Sequence, residues 1–163
     1  MVLETLSPRW LLGIDEVVLS PGLAADIQLV AEAHRRGISV VSDIELFARE
    51  VASLNAAVLA VTGSNGKSTV VTMLEAMLQA SEMNVTAGGN LGPPALSLLG
   101  KKNISTYLLE ISSFQLETTK SLRPLAAAVL NVSADHLDRH KTLERYVVLK
   151  EQLLTNSDIA IVN

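Results

Sequence analysis

Two glycines, a lysine and a following pair of hydroxyls stand together in Thr62-Gly63-Ser64-Asn65-Gly66-Lys67-Ser68-Thr69, a set of groups that can wrap a phosphate. Successive backbone N–H groups in a glycine-rich turn form an anion nest, and a helix starting there adds partial positive charge. Lys67 would reach the β- and γ-phosphates of a nucleotide, and the Ser68 hydroxyl would ligate Mg²⁺. The usual spacing, G-x-x-x-x-G-K-[ST], fails at its first glycine, where Val61 stands. The bland alternative is a tight glycine turn before a helix, with a solvated lysine.

Further along, Glu110 closes an apolar run, where a carboxylate could hold Mg²⁺ opposite Ser68. A solvated strand-end acid is the plain alternative, and Ser112 and Ser113 read equally well as turn formers. Asn131 ends the next apolar run, and Asp135, His136, Asp138 and His140 follow it. Acids and imidazoles clustered after a strand suggest a metal or phosphate site; a polar loop with capping aspartates explains them as well. Lys150 sits among Val148, Leu149 and Leu153. A lysine there ordinarily snorkels to solvent. A partly buried one can instead be neutral and open to covalent modification.

These residues have to be positioned by the elements around them, which read as strands alternating with helices. Strands are expected at 17–19, 38–41, 56–61, 83–87, 104–111, 125–132 and 158–162. Helices are expected at 24–36, closed by Gly37, at 43–51 with Ser42 or Asp43 as cap, at 68–80, 95–99 and 142–155. Residues 88–94, rich in glycine and proline, read as a loop, and Ser20-Pro21-Gly22 as a turn. Repeated strand–helix alternation predicts an α/β fold, a mostly parallel open sheet with helices on both faces. Ligands in such sheets bind at the carboxyl ends of the strands, where the phosphate loop and Glu110 both fall. The best boundary between units lies at 51–55, and the final expected strand suggests a sheet continued by further chain.

Composition narrows the classes. Of 163 residues, 48% are hydrophobic and only 3% aromatic, so the core is aliphatic, as suits buried parallel strands. The net charge is -4 with no basic run, so neither nucleic acid nor an anionic membrane is an expected partner. No cysteine is present, which excludes disulfides, thiolate catalysis and a cysteine zinc site. The first residues make a poor signal peptide, and no apolar run is long enough to span a bilayer, so a cytoplasmic location is expected.

Taken in order, 63–69, Gly88-Gly89-Asn90-Leu91-Gly92, Glu110-Ile111-Ser112-Ser113-Phe114-Gln115-Leu116 and 131–140 closely resemble the Mur ligase family, whose own phosphate loop has the short T-G-x-N-G-K-[ST] form. Ser20-Pro21-Gly22 and Ser42-Asp43-Ile44-Glu45-Leu46-Phe47 resemble its D-glutamate-adding members in particular. The resemblance implies a P-loop-type central ATPase domain, incomplete at 53–163. It would be preceded at 1–52 by the C-terminal part of a Rossmann-like, UDP-sugar-binding domain, with the family's third domain absent. It implies an ATP-dependent ligase that joins D-glutamate to UDP-N-acetylmuramoyl-L-alanine through an acyl phosphate, monomeric when full length.

By the same resemblance, the loop from Gly63 through Ser64, Asn65, Gly66, Lys67, Ser68 and Thr69 binds ATP. Ser68 and Glu110 hold one Mg²⁺, and His136 and a carbamylated Lys150 hold a second. Asn90, Ser112, His136 and Gly22 touch substrate. Residues 1–163 alone are then expected to bind nucleotide without making the amide bond. The alternatives are a nucleotide-binding fragment without catalysis, another Mur-type ligase, or a folylpolyglutamate synthetase.

Overall fold

The chain's structure, a computed structural model, describes residues 7–133 and 137–163. It opens with a 3-10 turn at Pro8–Leu11, then β1 (Glu16–Val18), α1 (Gln28–Arg35) and β2 (Ser39–Val41). β1 and β2 pair in parallel, Val17 opposite Val40. Leu11, Leu19, Val30, Ala33 and Val40 form their core. α1 begins later than residue 24, because turns with Leu23 N–H on Ser20 O and Ile27 N–H on Ala24 O occupy the connection. It ends as expected at Gly37, whose φ of 74° suits a residue without Cβ.

α2 (Asp43–Val51) starts on a Ser42 cap that accepts the Glu45 N–H, with Asp43 and Glu45 in its first turn. Its apolar stripe, Ile44, Phe47, Ala48 and Val51, packs on the larger sheet rather than on β1 and β2. The Phe47 ring meets Tyr107 edge-on, 5.4 Å between centroids.

That sheet holds β3 (Ala57–Thr62), β4 (Val85–Gly89), β5 (Thr106–Glu110), β6 (Ala126–Val129) and β7 (Ile159–Val162) in the order β4-β5-β3-β6-β7, with every pairing parallel. The helices that follow them are α3 (Lys67–Ala80), α4 (Ala95–Leu98), α5 (Ser113–Leu116), α6 (Leu137–His140) and α7 (Leu143–Thr155). Along β3, Val58 and Ala60 face a core shared with α2, α4 and α7. Leu59 and Val61 face α3 through Val70, Val71 and Leu74. The expected open parallel sheet with helices on both faces is therefore what forms.

Three local readings need correction. β4 lies two residues later than residues 83–87 and includes Gly88 and Gly89. A Cβ on Gly88 would stand 2.4 Å from Pro93 O, and one on Gly89 (φ +112°) 2.3 Å from Glu110 O. These glycines admit neighbouring backbone to a strand; they do not mark a loop. β6 stops at Val129, so Asn131 lies two residues past the strand. Short helices α5 and α6 stand where turns and a polar loop were expected, being four residues each and too brief to show a period. β7 forms an edge with Ile159, Ile161 and Val162 exposed.

Candidate functional site

Because the sheet is parallel, the carboxyl ends of its strands share one edge, and β3 runs there into the Gly63–Gly66 turn and α3. Gly66 takes a left-handed φ of 80° at the helix N-cap. Val61 is buried within β3 against Val71 and Leu108. The turn starts two residues after it, which is the structural reason the longer glycine spacing is not used.

Asn131, two residues past β6, the strand paired directly with β3, clamps this turn. Its side-chain oxygen accepts the Asn65 N–H at 2.9 Å and its amide donates to Asn65 O at 3.0 Å. The Ser64 N–H donates to Asn131 O at 3.2 Å. The backbone donors of Ser64 and Asn65 are thus already engaged. The nest left for an anion is the start of α3 at Gly66, Lys67, Ser68 and Thr69, whose N–H groups have no intrahelical acceptor. Lys67 folds over the turn, its Nζ donating to Gly63 O at 2.7 Å and Ser64 O at 3.1 Å. Ser68 is half-buried and Thr69 exposed.

Glu110 ends β5 in register with Val61 and is 1% exposed. Its Oε1 accepts from Asn90 Nδ2 at 2.8 Å, and Asn90 N–H donates to Glu110 O at 2.8 Å. Oε2, also buried, has no hydrogen-bond partner. A buried carboxylate oxygen left unpaired is costly, and a cation satisfies it. Among the described residues no three His, Asp or Glu side chains cluster into a metal cage. A lone carboxylate beside a phosphate loop suits Mg²⁺, which is commonly held by one or two carboxylates and substrate phosphates. Gly63, Ser64, Lys67, Asn90, Ser112 and Tyr146 line a crevice of about 100 Å³ here.

Lys150 is 1% exposed and does not snorkel. Its Nζ donates to Thr62 Oγ1 at 3.3 Å and stands 4.4 Å above the Tyr146 ring. Thr62 follows Val61 in the strand, so Lys150 approaches from the face opposite Glu110 and meets the same sheet edge. Ser112 lines the crevice, yet its hydroxyl is engaged in capping α5: it accepts the Gln115 N–H and donates to Gln115 Oε1. Gly22 is exposed in the turn after β1 and is not part of the crevice lining; Arg139 reaches that turn, donating to Pro21 O at 2.7 Å. His136 lies outside the described residues. His140 is fully buried, with Nε2 2.9 Å from Ser113 Oγ and Nδ1 3.3 Å from Glu117.

Tyr146 lies in the helix expected at 142–155, where by spacing alone an aromatic is one more apolar position. Its hydroxyl is 3.0 Å from Ser64 Oγ. A buried tyrosine needs a partner for its hydroxyl, and that was the available signal.

Wider clefts lie elsewhere. One of about 480 Å³ borders the loop at Asn65 and Gly66, floored by Val70, Leu130 and Ile161. Another of about 450 Å³ lies at the opposite sheet edge, near Leu54, Asn55, Arg123 and Asp158. Chemistry places the site, because among the described residues only the carboxyl edge combines a helix start, a lysine and an unsatisfied carboxylate.

An open parallel sheet with a phosphate-type turn after its central strand defines a nucleotide-binding class of fold, and the matches are narrower. The model of the Mur ligase middle domain matches residues 61–163, and the chain belongs to that family. The UDP-N-acetylmuramoylalanine–D-glutamate ligase of Haemophilus ducreyi is 49% identical over 159 residues, covering 98% of this chain and 36% of that protein. The ligase of the same name from Escherichia coli (strain K12) is 46% identical over 160 residues, with the same coverage of each. The chain thus spans about a third of the length of these relatives. The MurF ligase of Thermotoga maritima, solved in complex with ADP, superposes with a TM-score of 0.61 at 22% identity. That superposition covers 97% of this chain and 44% of that one, and it is a likeness of fold alone.

Proposed function

We propose that this chain is the phosphate-binding part of an ATP-dependent ligase that adds D-glutamate to UDP-N-acetylmuramoyl-L-alanine in peptidoglycan synthesis. The observation that carries the reading is the buried Glu110 Oε2 without a partner, at the same sheet edge as the Lys67 turn. Identity near 49% to a D-glutamate ligase supports the amino acid, on relatives that extend well beyond this chain. Residues 1–52 are read as the latter part of the UDP-sugar domain and 53–163 as the first part of the ATP-binding domain. The protein is read as cytoplasmic and monomeric; among the described residues no helix is long and apolar enough to cross a membrane.

In this reading the N–H groups at the start of α3 receive the nucleotide phosphates. Lys67 exchanges its two loop carbonyls for the β- and γ-oxygens. Mg²⁺ held by Ser68 and Glu110, and a second ion held by His136 and carbamylated Lys150, supply charge neutralisation during phosphoryl transfer. Asn90, anchored by Glu110, is poised to orient the substrate carboxylate, with Ser112, His136 and Gly22 as further substrate contacts.

The test uses the whole reading frame that contains this chain, assayed for ADP release with UDP-N-acetylmuramoyl-L-alanine. Release should depend on D-glutamate, and Lys67→Ala should lower it by about a hundredfold or more, as loss of one preorganised charge-stabilising donor does elsewhere. Release that follows a different amino acid would assign the chain to another branch of the family.

A further inference from the structure

We infer that Tyr146 is a positioning residue: through the Ser64 hydroxyl it latches the phosphate loop to α7 and holds the loop in its anion-binding shape. The inference rests on the reading that the start of α3 binds nucleotide phosphates.

Three observations carry it. The first is a hydrogen-bond count. Ser64 Oγ lies 3.0 Å from the Tyr146 hydroxyl, accepts the Ser133 N–H at 3.0 Å, and donates to Ser133 O at 3.2 Å. A serine hydroxyl has one proton and two acceptor sites. With Tyr146 donating, all three are in use, so the Ser64 side chain serves the latch and is not available to a phosphate.

The second is confinement of the tyrosine. Tyr146 is 1% exposed. The His140 ring lies 5.1 Å from its ring, and Lys150 Nζ lies 4.4 Å above it. The Phe114 ring in turn stacks on His140 at 5.4 Å. A ring so packed has one available orientation, so its hydroxyl is a fixed point.

The third is placement. Lys67 Nζ bonds the carbonyls of Gly63 and Ser64, so Ser64 joins the amine to the latch within one residue. Moving Ser64 moves both the amine's resting place and the turn that feeds the helix start. A loop ordered before binding loses less entropy when the anion arrives. Tyr146 therefore ties the loop that feeds the start of α3 to the helix that carries Lys150.

The experiment titrates the product of the whole reading frame that contains this chain with Mg²⁺–ATP and, separately, with Mg²⁺–tripolyphosphate, by calorimetry. Wild type is compared with Tyr146→Phe, Ser64→Ala and the double variant. Tyr146→Phe keeps the ring and its packing and removes only the hydroxyl. Tyr146→Phe, which removes one neutral hydrogen bond, should weaken both ligands alike by about two- to tenfold, and Ser64→Ala, which also removes the two bonds to Ser133, by at least as much. The double variant should be no weaker than Ser64→Ala alone, because that variant already removes the contact that Tyr146→Phe takes away. A role in stability alone would lower the melting temperature and leave both affinities unchanged.

Wild-type affinity in the single variants, or losses that multiply in the double, would overturn the inference. If Tyr146→Phe does not fold, Ser64→Ala decides by the same criterion. Failure of the wild-type protein to bind either ligand would overturn the nucleotide reading itself, and the latch with it.

Discussion

Asn131 shows how a single side chain can shape a site it need not touch chemically. Its amide grips Asn65 from both directions across 66 positions of sequence, and its carbonyl takes the Ser64 N–H. Lys67 and Ser68 were legible because the glycine turn and the helix start lie within a few residues of each other, and Glu110 was legible only as an acid closing an apolar run, a position that a solvated residue fills as well. Asn131 was visible as a polar residue after an apolar run, but its grip on the loop depends on β6 lying beside β3, which no local spacing states. Tyr146 was hidden more fully, since an aromatic at helical spacing reads as core.

Lys150 yields the prediction that belongs at this scale. Its amine is buried against Thr62 and Tyr146, with no route for the ordinary snorkel. If it becomes a carbamate ligand, Lys150→Ala in the whole reading frame should lose most ADP release, and a short carboxylate in solution should restore part of it. An unchanged rate in Lys150→Ala discards that role.

Among the elements, α2 carries the clearest energetic argument. Its start was readable from Ser42 and from the apolar stripe, yet which sheet it would cover was not, because a stripe names no partner. The structure docks it on β3 and β5 and bolts its first turn to the segment after α5. Burial pushes the Glu45 carboxyl up. The N–H groups of Ser121 and Lys120, the Ser121 hydroxyl and Arg49 outweigh that and hold it below its ordinary 4.5. A carboxyl depressed in the folded state contributes stability that is fully present above its unfolded value and is lost as pH falls through the folded one. Glu45→Gln should therefore destabilise the chain at pH 7 by about 1–3 kcal/mol. It should also flatten the loss of stability below about pH 4.5, the ordinary value of the group. Urea melts at pH 7 and pH 3.5 check this; equal destabilisation at both would contradict it. Phe47→Ala, which empties a fully buried site against Tyr107, should cost about 3–5 kcal/mol at either pH, measured by the same melts. The β4 glycines teach the opposite lesson. Composition alone marks Gly88 and Gly89 as loop, and only the close approach of Pro93 O and Glu110 O reveals why a strand uses them.

At the scale of the whole molecule, the fold follows from a repeated unit. Parallel strands buried on both faces demand aliphatic runs, and helices must cross over between them, so the alternation of strand and helix was legible almost throughout. The same topology gathers the ends of β3, β4 and β5 at one edge and brings the phosphate turn, Asn90 and Glu110 together from positions far apart in sequence. The mild net charge of -4 repels anions as a whole, so any affinity for phosphate has to be local.

That locality is what one measurement can test most directly. Amide resonances of the ¹⁵N-labelled chain are followed during titration with Mg²⁺–ADP. The account predicts that shifts centre on residues 63–69, Asn90 and Glu110, and that Lys67→Ala weakens the binding they report. Shifts centred instead on Leu54, Asn55, Arg123 and Asp158, in the wider cleft at the opposite edge of the sheet, would contradict it.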